Sequence, residues 1–187
     1  MKKIWMIIPI ILVILIGIVV GRLIYNNNEK LANKNNIIQN EIINSNFLDV
    51  FSGSGAIGLE AASRGAKKVI LCDKSKDAIN IINKNIEKTH LKEKVELYNL
   101  DYETLLKNKV KEKMDIIYID PPYNSDFAIK SVEYIISQKI ADENSIIIIE
   151  TDNEEKVLNE LKKIDIEIID KRRYGRATLI FIKIRKG

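Results

Sequence analysis

The chain has 187 residues, 46% of them hydrophobic and 30% charged, with 8 Gly, 3 Pro and a single Cys. That composition is globular and excludes a disordered chain or a disulfide scaffold. With Cys72 and His90 each alone of their kind, a Cys/His zinc cluster is excluded too, and metal chemistry would fall to carboxylates. The net charge is +4, but residues 1–36 hold Lys2, Lys3, Arg22, Lys30 and Lys34 against Glu29 alone. That segment accounts for the whole surplus, so bulk charge does not name a partner for the remainder and any basic patch must be local.

Residues 4–21, IWMIIPIILVILIGIVVG, carry no charge and lie between Lys2 and Lys3 on one side and Arg22 on the other. Eighteen apolar residues reach membrane-spanning length, and Ile, Val and Leu cover every face instead of one stripe. Without a small-residue cleavage site after it, the run is expected to be a retained hydrophobic helix, so residues 1–24 are assigned as a transmembrane anchor. The charges on its two sides balance, so the positive-inside rule does not orient it. Residues 25–36, YNNNEKLANKNN, read as a polar linker, and IIQNEI at 37–42 as a short helix opening a domain over 37–187.

From residue 47 strand-like and helix-like runs alternate. Strands are predicted at 47–51, 69–73, 95–100, 115–120 and 145–150, and helices over 56–64, 76–88, near 103, over 128–138 and over 154–163. Unbroken apolar runs at 116–119 and 146–149 imply burial on both faces, as in a parallel sheet covered by helices. The expected fold is therefore doubly wound α/β. The last two runs, 166–175 and 177–185, have no helix between them, which predicts a C-terminal antiparallel hairpin at the sheet's end.

The first strand leads into Asp49-Val50-Phe51-Ser52-Gly53-Ser54-Gly55 and then a helix, the glycine-rich turn of nucleotide-binding α/β folds. Alone it does not choose between ligands, or between a ligand and tight packing. Asp73 ends the second strand, where a carboxylate accepts hydrogen bonds from ribose hydroxyls, although capping the next helix is an alternative. Asp49 just before the glycines would repel a pyrophosphate but suits a cationic amino-acid end. This favours S-adenosylmethionine over NAD and makes an NAD oxidoreductase the least favoured class. Asp101 stands where it could take an adenine amine or, equally, cap a helix.

Asp120-Pro121-Pro122-Tyr123 closes the fourth strand. Two prolines stiffen the backbone at the carboxyl edge of the sheet, where ligands bind. An exocyclic amine has two hydrogens to donate; Asp120 and the Pro121 carbonyl can accept both, and Tyr123 offers a face for a base to stack on.

FLDVFSGSGAIGLEAASRGA at 47–66, LCD, YNLD, YIDPPY and the closing RRYGRATLIF together resemble, in order, the bacterial 16S ribosomal RNA guanine-N2 methyltransferases that modify guanine 966. The resemblance covers roughly residues 37–187. It implies a Rossmann-like class I methyltransferase whose cofactor is held by Asp49, Gly53, Gly55, Asp73 and Asp101. Asp120, Pro121, Pro122 and Tyr123 would hold the target guanine, and the partner would be ribosomal RNA or the small-subunit particle. A monomer with a cytoplasmic catalytic domain, anchored to the cytoplasmic membrane through residues 4–21, follows from the same resemblance joined to the apolar run. The family's basic N-terminal hairpin and Arg-Pro-Thr segment have no counterpart here. The remaining basic cluster, Lys171, Arg172, Arg173 and Arg176, is open to two readings: phosphate contact, or protection of a sheet edge. Competing functions are a DNA amino-methyltransferase, which shares D-P-P-Y, and a membrane-tethered noncatalytic relic that binds the cofactor.

Overall fold

The computed structural model describes residues 41–122 and 125–186. The expected N-terminal hydrophobic helix and linker lie outside these residues; among those described, no helix is long and apolar enough to cross a membrane. Of the short helix expected at 37–42, only residues 41 and 42 are described, and they are helical.

Among the described residues, seven strands form one sheet: β1 Asn46–Asp49, β2 Lys68–Cys72, β3 Val95–Tyr98, β4 Ile116–Ile119, β5 Ile146–Thr151, β6 Ile166–Tyr174 and β7 Ala177–Ile184. Five helices connect the first six: α1 Ala56–Ser63, α2 Lys76–Thr89, α3 Tyr102–Asn108, α4 Phe127–Ser137 and α5 Glu154–Leu161. The spatial order is β3-β2-β1-β4-β5-β7-β6, with β1 to β5 parallel and β7 antiparallel to both of its neighbours. The doubly wound, mostly parallel sheet and its terminal hairpin are thus as expected. A short 3₁₀ turn at Lys92–Lys94 was not.

Burial on both faces explains the apolar strands. All four residues of β4 are buried, as are Ile146, Ile147 and Ile149 of β5. On one face Leu48, Ile117, Ile119 and Ile147 pack with Leu105 of α3, Ile135 of α4 and Leu161 of α5. On the other, Phe47, Val69, Leu71 and Ile116 pack with Leu59 of α1 and Ile82 of α2.

Helix ends follow local chemistry. Ser75 caps α2, its hydroxyl accepting from the Ala78 amide at 3.4 Å, and Asp77 complements the positive end of the helix dipole. His90 closes α2 in the left-handed conformation and is solvent-exposed, as expected of a residue beyond a helix. Cys72 is fully buried in β2, as expected of a core residue. Because connections run outward from β1 on one side and from β4 on the other, the sheet's switch point falls between these two strands. A ligand crevice belongs there, at their carboxyl ends.

Candidate active site

At that switch point lies a cleft of about 500 Å³. The loop after β1, Asp73 after β2, Asp101 after β3 and Asp120 to Pro122 after β4 all border it. Four segments that are distant in sequence therefore meet at one sheet edge.

The glycine loop is stapled to β2 through Ser52. Its amide donates to the Cys72 carbonyl at 2.8 Å, its hydroxyl donates to the Asp49 carbonyl at 3.0 Å, and that hydroxyl accepts from the Cys72 amide at 2.9 Å. Gly53 has φ +54 and a Cβ added to it would meet open space, so its backbone fronts the cleft. Gly55, at φ +78, begins α1, and there a Cβ would stand 3.1 Å from Ile82. The two glycines therefore serve different ends: Gly53 opens the cleft and Gly55 lets α1 sit close to α2.

Asp73 accepts from the Gly53 amide at 2.9 Å through Oδ2 and from the Ser75 amide at 2.8 Å through Oδ1. The cap of α2 is Ser75, so Asp73 spans from glycine loop to helix start while bordering the cleft. Asn99, just past β3, fixes the same turn, its amide nitrogen donating to the carbonyls of Asp73 and Lys74 at 3.0 and 3.1 Å. Asp101 is the N-cap of α3, accepting from the Thr104 amide at 2.9 Å and the Thr104 hydroxyl at 2.7 Å. Those bonds hold its carboxyl below the usual range. The helix cap is thus what the structure shows for Asp101, which also borders the cleft.

Asp49 is placed differently. It is 1% exposed, lies beneath the glycine loop instead of bordering the cleft, and leaves Oδ1 without a hydrogen-bond partner. Burial lifts its pKa to about 7, offset in part by the Gly58 amide. Asp120 is raised as well, first by burial and then by the charges of Glu150 and Asp49. Glu150, at the end of β5, is 5% exposed and takes a hydrogen bond from the Tyr118 hydroxyl. The ends of β1, β4 and β5 thus concentrate negative charge that a cationic ligand would relieve.

Glu150 was not singled out from the sequence, although a lone carboxylate ending the run SIIIIE was the available signal. The aromatic wall was missed too. Phe51 and Phe127 stack with ring centroids 6.4 Å apart, Tyr102 lies 5.3 Å from Phe51 and 4.9 Å from Phe127, and all three rings border the cleft. Pro121 and Pro122 separate this cleft from a smaller cavity that also touches Glu150, Thr151, Asn153 and Lys156. Tyr123 lies outside the described residues. The cluster around Arg172 is partly consumed: Lys171 pairs with Glu154 at 2.5 Å, and Arg172 pairs with Asp170 at 2.9 Å while lying over the Phe181 ring. No group of three or more His, Cys, Asp or Glu suited to a metal ion occurs among the described residues.

Known proteins resemble the chain over this same core. It is 33% identical over 117 residues to Ribosomal RNA small subunit methyltransferase D of Buchnera aphidicola, a match covering 63% of this chain and 61% of that protein. The protein of the same description from Haemophilus influenzae is 29% identical over 116 residues, covering 61% of this chain and 60% of its own length. The chain therefore spans about three-fifths of these two relatives. A solved structure of a conserved hypothetical protein from Streptococcus pyogenes superposes with a TM-score of 0.70 at 25% identity, covering 80% of this chain and 94% of the other. The family described as Conserved hypothetical protein 95 matches residues 32–183, and the chain belongs to it.

Proposed function

We propose that the chain transfers a methyl group from S-adenosylmethionine to the exocyclic N2 amine of a guanine in 16S ribosomal RNA. The observation that carries this is the shared wall: Asp120, Pro121 and Pro122 border the cleft lined by Gly53 and Asp73, and the two prolines also border a second cavity. An amine held by Asp120 and the Pro121 carbonyl is therefore presented to a methyl donor seated in that same cleft, as in-line transfer requires.

The residues suit this cofactor. Among the described residues, Asp73, Asp101 and Asp120 border the cleft against Lys74 alone, an acidic balance that favours a cation over a pyrophosphate. The open space at Gly53 leaves room for close approach to the backbone, and Asp73 has acceptor capacity for ribose hydroxyls. Phe51, Tyr102 and Phe127 give adenine an apolar wall. Asp49 contributes from beneath the loop, where a cationic ligand would favour its ionised form, with Gly53, Gly55 and the capped Asp101 shaping the pocket above it. When bound, the cofactor supplies an electrophilic methyl on a positive sulfur. Asp120 and the Pro121 carbonyl accept the two amine hydrogens and aim the nitrogen, and Asp120 stabilises the positive charge that develops on it. Tyr123 is assigned to stack on the base.

The relatives' description as ribosomal RNA methyltransferases supports an RNA substrate, hence ribosomal RNA or the small-subunit particle as partner. Residues 1–24 are kept as an anchor and 25–36 as a linker to the domain over 37–187, on the strength of the apolar run alone. The working state proposed is a monomer whose domain faces the cytoplasm, where both cofactor and ribosomal RNA are found.

The test is incubation of the full chain with S-adenosylmethionine and small-subunit particles, followed by mass spectrometry of the nucleosides. N2-methylguanosine is expected, with the rate lowered about 100-fold or more in Asp120→Ala. Methylated adenine in its place, or no methyl transfer to any particle or free RNA, would refute the assignment.

A further inference from the structure

The β6–β7 hairpin does more than finish the sheet. Because β7 runs antiparallel to β5, with Thr178 opposite Thr151 and Leu179 opposite Glu150, the turn between Tyr174 and Ala177 projects past the carboxyl end of β5. That is the edge where Pro121 and Pro122 lie. Thr151 also borders the small cavity beside the two prolines, so the hairpin tip adjoins the strip proposed to hold the acceptor amine.

Charge at the tip is unevenly used. Glu154 and Asp170 are already paired with Lys171 and Arg172. Arg176 is exposed and has no ion pair among the described residues, and Arg173, also exposed, uses its Nε only for a 3.4 Å bond to the Gly175 carbonyl. Lys156, on the small cavity's rim, is exposed and likewise has no ion pair among the described residues.

Edge protection accounts for Arg173, which lies on β6, but not for Arg176 or for Lys156 of α5. The edge strand is β6, whereas Arg176 stands in the turn and β7 is paired on both sides. Gly175, at φ +60, tightens the turn so that Arg173 and Arg176 flank it closely.

We propose that the hairpin tip is a phosphate grip, in which Arg173 and Arg176, with Lys156, hold the RNA backbone beside the Pro121–Pro122 strip. This surface rests on the RNA substrate proposed above and adds to it the face on which the RNA lies. Guanidinium groups suit phosphates through their fork of donors, and such contacts set affinity and orientation without reading sequence.

The test is filter binding of 16S ribosomal RNA, transcribed in vitro, to the full chain across a salt series, with Arg173→Glu/Arg176→Glu and Arg173→Lys/Arg176→Lys compared to wild type. Titration with S-adenosylmethionine monitors the folded state of each. The expected result is RNA binding by wild type, with affinity lowered at least ten-fold in the Glu pair and a log–log salt slope reduced by about 1.5, as for two lost phosphate contacts. The Lys pair should retain most of the affinity, and cofactor binding should not move. Wild-type binding that the Glu pair leaves intact would overturn the grip while leaving the RNA substrate standing. No RNA binding by wild type would overturn both.

Discussion

Three buried or half-buried carboxylates at neighbouring strand ends set the chemistry of the site. Asp49, with one oxygen unpartnered, holds its proton up to a pH of about 7 in the folded chain, against an ordinary value of 3.8. The folded state therefore binds this proton more tightly than the unfolded one. Its stabilising contribution is complete below the unfolded value and is lost as pH rises toward the folded one. Asp49→Asn should raise the melting temperature of the ligand-free chain more at pH 8 than at pH 5, the difference corresponding to about 2–3 kcal/mol. An equal shift at both values would contradict the burial of this charge. Asp120 is perturbed in the same direction, with Asp49 facing it from β1 and the Tyr118–Glu150 pair from β4 and β5. Accepting from the amine requires its carboxylate, so the rate at low substrate should climb as pH rises through Asp120's elevated titration. In Glu150→Gln the stronger of the two charges favouring protonation is gone, and this limb of the pH–rate profile should move to lower pH. A limb that stays in place would remove Glu150 from the site's electrostatics.

Among the elements, α1 shows how closely the glycine loop and the sheet are fitted. A Cβ on Gly58 would stand 2.2 Å from Leu71 Cδ2 and 3.1 Å from Val69 Cγ1, so this helix lies against β2 with no room for a methyl group. Gly58→Ala should cost about 1–3 kcal/mol in denaturant unfolding, and adding Leu71→Val should recover part of that loss. Additive losses would mean that the strain lies elsewhere. The elements themselves were legible because their periods are clean: Ile116–Ile119 and Ile146–Thr151 read as buried strands, and α2 places Ile82 and Ile86 on one face. The hairpin was legible as an antiparallel pair. Which of its strands inserts beside β5 was not, because that choice depends on how β7 packs, its Thr178 to Ile182 all buried, against β6, whose burial is mixed.

For the molecule as a whole, the sheet brings together what the sequence separates. Gly53, Asp73, Asp101 and Asp120 border one cleft because each ends or follows a parallel strand, and that rule is readable from strand order alone. The depth of Asp49 was not readable, since it depends on how the Ser52 staple folds the loop over β1. Nor was the wall of Phe51, Tyr102 and Phe127, whose members come from three separate segments and meet only in three dimensions. The central claim is that this cleft takes S-adenosylmethionine. Calorimetric titration of the full chain with that compound, beside Asp73→Ala, tests it most directly. The prediction is saturable binding at one site per chain, weakened at least ten-fold by the substitution. A folded chain that releases no heat and leaves the compound free at equilibrium, or an Asp73→Ala variant that binds as tightly as wild type, would contradict it.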